Sequence, residues 1–166
     1  MKSFEGLKGI GMSEHGIRKF LTHSKSNLLL ATTNADGTPT IHPVWYYFDP
    51  VKTKLYFYTG PGLKKTTNIR KRNEVYFDVD DDRWPYRGVK GKGIAKFLAA
   101  KEEALSWGAK ILGRYTKKGS PLFKTAFDRM KNGGYVVIEI TPAYFTSWDF
   151  GKLERQTEGL RESIIS

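Results

Sequence analysis

The sequence predicts a mainly β protein, a closed antiparallel barrel with peripheral helices, on three observations. About seven short β-prone runs recur along the chain, separated by turn residues. Aromatic residues, which favour strands, make up 14% of the 166 residues. That length is enough for one domain with a sizeable core. We therefore expect a single domain over residues 1–166, with a helical insertion at about 100–133.

The first third of the chain reads as a helix followed by a β-meander. The helical spacing of apolar residues predicts a helix over Ser13–His23, and Ser13 can cap its start. Asp36-Gly37 lies between two β-prone runs and is a strong hairpin signal, because glycine accepts the positive φ of such turns. The predicted strands are Asn27–Asn34, Pro39–Phe48 and Lys54–Thr59.

A second basic and helical part follows the meander. A short basic helix is predicted over Leu63–Arg72, with Leu63 and Ile69 as its apolar anchors. Three glycines in the following β-prone run predict a bulged, bent strand, and Thr141-Pro142 indicates a turn between the last two strands. The remaining predicted strands are Glu74–Asp80, Tyr86–Leu98, Tyr135–Ile140 and Ala143–Phe150, and the remaining helices are Ala99–Gly113 and Pro121–Lys131.

Composition excludes several classes of protein. The chain has no cysteine, which removes disulfides, thiolate metal sites and cysteine nucleophiles. It has no run of about 20 apolar residues, the length that spans a bilayer, so we expect a cytoplasmic protein without a membrane partner. The net charge is +11 and is concentrated in residues 51–72 and 101–133. An anionic ligand or polymer is expected at one of these segments.

The sequence lacks the familiar catalytic and metal motifs. It has no nucleophile elbow, no zinc-protease motif, no Walker loop and no dinucleotide fingerprint. His15, His23 and His42 lie in different elements without the spacing of metal ligands. The acidic run Asp78–Asp82 begins like a calcium loop, but Arg83 stands where such a loop requires glycine. No metal site is predicted.

The segment Thr59–Asn68 has the pattern of an anion site. It joins a strand end, a turn with two glycines, and a helix start that carries hydroxyl groups and two lysines. Unpaired helix amides and the helix dipole would then face the same point as the ammonium groups. A phosphate monoester fits such a site, although a solvated basic helix after a tight turn has the same pattern.

The predicted strand Pro39–Phe48 is apolar on both sides from Pro43 onward. One cover is the barrel core, and the other is a planar ligand, a second subunit or both. The next strand, Lys54–Thr59, pairs with it and leads into the anion segment, so both features are expected on one surface. Flavin mononucleotide (FMN), with a phosphate at one end and a heteroaromatic plane at the other, has the matching shape.

Four stretches of the chain resemble the FMN-binding split-barrel family related to pyridoxamine 5'-phosphate oxidase. They are LATTNADGTPTIHPVWYYFD, LYFYTGPGLKKTTNIRKRNEVYFDVDDD, PYRGVKGKGIA and ITPAYFTSWDFGK, and together they span most of residues 28–152. The resemblance implies a six- or seven-stranded antiparallel split β-barrel and a homodimer with flavin at its interface. It also implies an oxidoreductase for a small-molecule substrate, in which the FMN ring carries the hydride chemistry.

Matched position by position, the resemblance also implies a cofactor site. Lys65 matches the family's phosphate-binding lysine, and residues 42–46 match the segment that meets the flavin ring. No residue is assigned a catalytic role. The implied cofactor-binding residues are His42, Pro43, Val44, Trp45, Tyr46, Thr59, Lys64, Lys65, Thr66 and Asn68.

Two alternatives stay open. The resemblance ends near Lys152, without the arginine-bearing C-terminal segment with which the true oxidase grips its product, so vitamin B6 oxidation is not expected. Relatives of this length include enzymes that use the deazaflavin coenzyme F420, whose polyglutamyl tail also needs a basic groove. A non-enzymatic barrel that binds single-stranded nucleic acid would also be basic, but it would not explain the glycine turn.

Overall fold

The computed structural model describes residues 3–6 and 8–155. Its strands are β1 (Ser3–Gly6), β2 (Leu28–Thr33), β3 (Pro39–Val44), β4 (Tyr46–Asp49), β5 (Lys54–Thr59), β6 (Glu74–Asp81), β7 (Arg87–Phe97) and β8 (Val136–Asp149). Its main helices are α1 (Glu14–His23), α2 (Lys64–Lys71), α3 (Lys101–Tyr115) and α4 (Pro121–Lys131). Residues 151–155 add a short helical turn.

The strands form one curled sheet in the order β3-β2-β6-β7-β8-β5-β4, and β1 pairs in parallel with β8 beside this path. Neighbours along the path pair antiparallel. Because β3 and β4 are the two edges, the sheet curls into a barrel that is open along one seam. The fold implied by the family resemblance, mainly β with peripheral helices in an antiparallel split barrel, is confirmed, whereas the closed barrel predicted from the strand pattern is wrong because of this seam.

Local signals in the first third of the chain act as expected. The Ser13 side chain accepts a hydrogen bond from the Gly16 N–H at 3.1 Å and so caps α1. Gly37 adopts a φ of 88° in the turn between β2 and β3, which pair as an antiparallel hairpin. Among the described residues, no helix is long and apolar enough to cross a membrane.

The predicted strand Pro39–Phe48 is wrong as one element, because it divides at Trp45 into β3 and β4. β3 pairs with β2, whereas β4 pairs with β5. β2 and β5 lie near opposite ends of the sheet order, so one straight strand cannot pair with both. The chain therefore bends at Trp45 and crosses the seam of the barrel there.

The two predicted strands at the C-terminal end are one continuous strand, β8. Thr141-Pro142, interpreted from the sequence as a turn, lies inside it at a bulge. Lys92 pairs with Tyr144 and Gly93 with Pro142, which leaves Ala143 without a partner on β7. The bulge accommodates a proline that has no N–H to donate. Its extra residue belongs to β8, so the bulge predicted for the glycine-rich strand lies on the strand that pairs with it.

Smaller differences concern the ends of elements. β1 was not expected, since four residues carry little periodic signal. Leu63 is not an anchor of the basic helix: it precedes α2 and is 49% exposed, whereas Ile69 is buried as predicted. α2 ends at Lys71, and α3 extends through Tyr115, which the sequence placed in the following connection.

Two clusters of buried side chains stabilise the barrel and the helical segment. The larger one fills the barrel, and the smaller one lies beneath α3 and α4 around Tyr56 and Trp107, whose rings stack at 3.9 Å. Arg114 of α3 also donates to the main-chain oxygens of Leu21, Thr22 and Ser24 at the end of α1. The helical segment α3–α4 thus contacts the rest of the fold on two sides.

Candidate cofactor site

The start of α2 follows the turn after β5. The Leu63 N–H bonds the Gly60 carbonyl at 3.3 Å, and the buried Thr66 hydroxyl donates to the Leu63 carbonyl at 2.5 Å. The N–H groups of Lys64 and Lys65 have no acceptor in the described part of the chain, and no side chain caps the helix. The first turn of α2 therefore presents free donors and the positive end of its dipole.

Lys65 carries an uncompensated charge at this point. Its side chain is half-buried and forms no ion pair with any described residue, whereas Lys54 pairs with Glu139 at 2.6 Å. Burial lowers the pKa of the Lys65 ammonium. A partly buried cation without a counter-ion is unfavourable on its own, and an anionic ligand would relieve it.

His42 extends the basic site onto β3. Its ring is half-buried, and its Nε2 lies 3.5 Å from the Thr32 hydroxyl. Burial and, to a smaller extent, the positive charge of Lys65 lower the pKa of His42. The imidazole is therefore neutral at pH 7, and one ring nitrogen donates while the other accepts.

Asn68 ties α2 to the barrel. Its buried amide donates to the Thr32 hydroxyl and to the Asn34 side-chain oxygen, each at 3.0 Å. Thr32 thus connects Asn68 with His42 and holds the helix tip beside β3. Thr32 and Asn34 were missed by sequence reasoning. The inward position of Thr32 in an alternating strand and the position of Asn34 before the Asp36-Gly37 turn were the available signals.

The structure distributes the remaining predicted site residues between the core and the surface. Val44, Tyr46 and Thr59 are buried, and the Tyr46 hydroxyl donates to the Leu21 carbonyl at 2.9 Å. Pro43 is exposed on β3, and Lys64 is exposed near Asp36 of the hairpin turn. Hydrogen bonds from Thr38 lower the pKa of the Asp36 carboxyl, and the Lys64 charge adds a small contribution.

The predicted strand Pro39–Phe48 was expected to be covered on two sides from Pro43 onward. On the side away from the barrel core, most of this segment is covered by helix α3. Trp45 stacks on Tyr115 at a centroid distance of 5.0 Å, and Tyr47 contacts Trp107 at 5.7 Å. Both partners belong to α3. α3 therefore packs against both rings, and Pro43 is the exposed part of the segment. A cofactor contact at Trp45 stays a prediction.

His42 offers a direct test of anion binding at this site. Adding inorganic phosphate should raise the pKa of His42, because a nearby negative charge favours the imidazolium. Proton NMR of the imidazole C–H signals as a function of pH measures the change. The signals of His15 and His23, which belong to α1, are internal controls and should not respond to phosphate. An unchanged His42 titration at saturating phosphate contradicts the assignment.

The curled sheet, its open seam and the basic helix tip beside an edge strand define a split-barrel protein. The family model described as pyridoxamine 5'-phosphate oxidase matches residues 14–149. The chain therefore belongs to this family, as its sequence resemblance implied.

Several solved structures share this fold. The conserved hypothetical protein Rv2991 from Mycobacterium tuberculosis is 29% identical, with a TM-score of 0.77, over 90% of this chain and 92% of that one. An F420 reductase is 22% identical, with a TM-score of 0.59, over 76% and 94%. HutZ, a heme storage protein from Vibrio cholerae, is 11% identical, with a TM-score of 0.58, over 79% and 91%. The last two likenesses show the fold alone. No curated protein sequence matches the chain.

Proposed function

We propose that the protein is an FMN-binding oxidoreductase that acts on a small-molecule substrate. The observation that carries the proposal is the half-buried Lys65, which has no counter-ion among the described residues and lies at the free N-terminus of α2. Membership in the pyridoxamine 5'-phosphate oxidase family supports the choice of a flavin over other phosphorylated ligands.

The residues at the helix tip fit a phosphate monoester. The Lys65 ammonium would neutralise the phosphate charge, and the N–H groups of Lys64 and Lys65 would donate to its oxygens. Charge-assisted hydrogen bonds contribute about 1.5 to 3 kcal/mol each, so three of them suffice to hold such a group on an open surface. Asn68 and Thr66 would position the helix rather than bind the ligand, since their polar groups already bond protein atoms.

FMN, when bound, supplies the hydride chemistry. The chain would supply position and electrostatics: β3 is an edge strand, so its outer backbone groups are free to bond a ring laid along it. The neutral His42 would donate or accept one hydrogen bond between the phosphate corner and that edge. Pro43 would give the ring an exposed apolar contact.

A homodimer with flavin between its subunits is part of the proposal. In the monomer the edge of β3 is open, with Pro43 exposed and Ile41 65% exposed. A flavin ring resting there would be covered on one side, and a second subunit would close the other.

Titration of the protein with FMN and with riboflavin tests the proposal. Flavin fluorescence quenching should show that FMN binds at least about tenfold more tightly than riboflavin, which lacks the phosphate that Lys65 would hold. The matched pair of ligands isolates the helix tip from the ring contacts. If neither flavin binds at micromolar concentrations, or both bind equally, the proposed site is wrong.

Coenzyme F420 is a second candidate. The exposed Lys64, Lys71 and Arg72 extend the positive surface along α2, which suits a longer polyanionic tail. The F420 reductase that shares this fold is a further reason to include it. The same titration with F420 decides between the two, because the cofactor with the lower dissociation constant is the one for which the site is built.

Salt-sensitive binding of single-stranded oligonucleotides without flavin binding would favour the nucleic-acid alternative.

A further inference from the structure

The helical segment α3–α4 leaves a groove open at its base. The groove lies between the start of α3, the end of α4 and the start of β8, and its volume is about 490 Å³. Small-molecule sites have volumes of about 300 to 1,000 Å³, so the groove is large enough for an organic ligand. None of its described lining residues belongs to α2 or β3. The groove is therefore separate from the candidate cofactor site.

The walls of the groove are apolar. α3 contributes the half-buried Leu105, α4 the buried Met130, and β8 the buried Val137. All three belong to the smaller core cluster or pack against it, and the half-buried Leu98 and Ala104 continue the same surface. The groove thus opens directly onto packed hydrophobic side chains. The apolar part of a ligand would be taken out of water there.

The mouth of the groove is positively charged. Lys101 and Lys131 both line it and are exposed. Lys101 forms no ion pair with any described residue, and Lys131 pairs at 3.1 Å with Asp128, an exposed residue of α4 outside the lining. No acidic residue is among the described lining residues. The negative end of a ligand would therefore meet an attractive potential at this mouth.

Tyr135 adds a polar group to the lining. Its half-buried ring packs edge-on against Tyr58 at a centroid distance of 5.1 Å, and the Arg129 guanidinium lies 5.4 Å from the ring centroid. Within the part of the chain that the structure describes, the Tyr135 hydroxyl has no hydrogen-bond partner. A phenol hydroxyl can donate to a carboxylate oxygen. The groove therefore combines a long apolar wall with a cationic, hydrogen-bonding end.

This combination discriminates between classes of ligand. A wholly apolar molecule would cover the walls but would make no use of the charges at the mouth. A small polar anion such as inorganic phosphate would meet the charges but would leave the walls in water. A molecule with an apolar body and one terminal carboxylate satisfies both parts, because its hydrophobic burial and its charge-assisted hydrogen bonds add to each other.

We propose that this groove binds an organic monocarboxylate with an apolar body. The body would lie against Leu105, Met130 and Val137, and the carboxylate would be held at the mouth by Lys101 and Tyr135. The proposal goes beyond the flavin function, since it concerns a second ligand on the helical segment. Binding at the groove and binding at the Lys65 corner can be measured separately.

Calorimetric titration with 4-phenylbutyrate and with 4-phenylbutan-1-ol tests the proposal, because these probes share the same apolar body and differ in the carboxylate. The acid should bind at least about tenfold more tightly than the alcohol. Lys101→Glu should remove this preference and leave the alcohol unaffected. Lys118→Glu, the same change at an exposed lysine between α3 and α4, should preserve it. No binding of the acid at millimolar concentration, equal binding of the two probes, or equal losses in the two variants overturns the proposal.

A second pair of variants locates the ligand. Ala104→Phe would fill the groove and should abolish binding of both probes, whereas Ser106→Phe, at an exposed position of the same helix, should not. Far-UV circular dichroism verifies that each variant folds, and the Lys101→Glu comparison stands if Ala104→Phe does not. Lys65→Ala should bind 4-phenylbutyrate as the wild type does, and FMN should not displace it. Displacement by FMN would place the acid at the Lys65 corner and would overturn the proposal without affecting the flavin assignment.

Discussion

Lys65→Ala is expected to weaken FMN binding by an order of magnitude or more. The Lys65 ammonium is the half-buried cation at the start of α2, and no described acidic side chain competes for it. Its removal deletes a charge-assisted contact to the phosphate, and about 1.4 kcal/mol corresponds to each tenfold change in affinity. Fluorescence titration of purified variant and wild type measures the ratio.

Lys71→Ala is the matched control for this variant. Lys71 belongs to the same helix but is exposed at its other end, so its loss should change FMN affinity by less than about threefold. Riboflavin affinity should be the same in Lys65→Ala and wild type, because riboflavin has no phosphate. Equal losses in Lys65→Ala and Lys71→Ala would mean that general positive charge, and not the Lys65 corner, attracts the ligand.

Phe145→Ala is expected to have the largest effect on stability. Phe145 is fully buried, and its ring lies 5.2 Å from Phe4, 6.5 Å from Phe48 and 5.8 Å from Phe77. These rings come from four different strands, so the substitution leaves a cavity at the centre of the barrel that backbone collapse cannot fill. Such truncations lower the free energy of unfolding by about 3 to 5 kcal/mol, a large part of the usual 5 to 15.

Urea unfolding followed by tryptophan fluorescence measures this loss. Phe123→Ala is the control: Phe123 is half-buried on α4, stacks on Phe127 at 5.9 Å and lies outside the barrel cluster. Its replacement should cost about 1 kcal/mol or less. Similar losses for the two variants would contradict a core centred on Phe145.

Most helices and strands could be predicted from caps, turns and periodicity, because these signals depend only on residues that are close in the sequence. The cap at Ser13, the Asp36-Gly37 turn and the limits of Lys54–Thr59 need no knowledge of the rest of the chain. The division at Trp45 and the continuity of β8 through Pro142 were not predictable in this way. Both depend on which strands lie alongside, and strand partners are set by the whole sheet.

The candidate site likewise combines features that neighbouring residues determine with features that depend on tertiary packing. The lysines and glycines around Lys65 are recognisable in the sequence, since they are contiguous in one turn and one helix start. The bridge from Asn68 through Thr32 to His42 joins three elements and follows from tertiary packing. The α3 partners of Trp45 and Tyr47, which are Tyr115 and Trp107, come 70 and 60 residues later in the chain, so this packing is beyond the reach of periodicity.

The bend at Trp45 links the two free margins of the sheet through one residue. Its indole lies nearly parallel to the Tyr115 ring, at an interplanar angle of 5°, and the Tyr115 hydroxyl donates to the Ser26 carbonyl at 3.2 Å. The last turn of α3 therefore holds Trp45 against the barrel at the point where the chain passes from β3 to β4. We expect changes in the length of the α3–α4 hairpin to leave this contact intact as long as Tyr115 keeps its place. Loss of the Tyr115 ring should instead free the two sheet edges from each other and expose β4 to pairing with other chains.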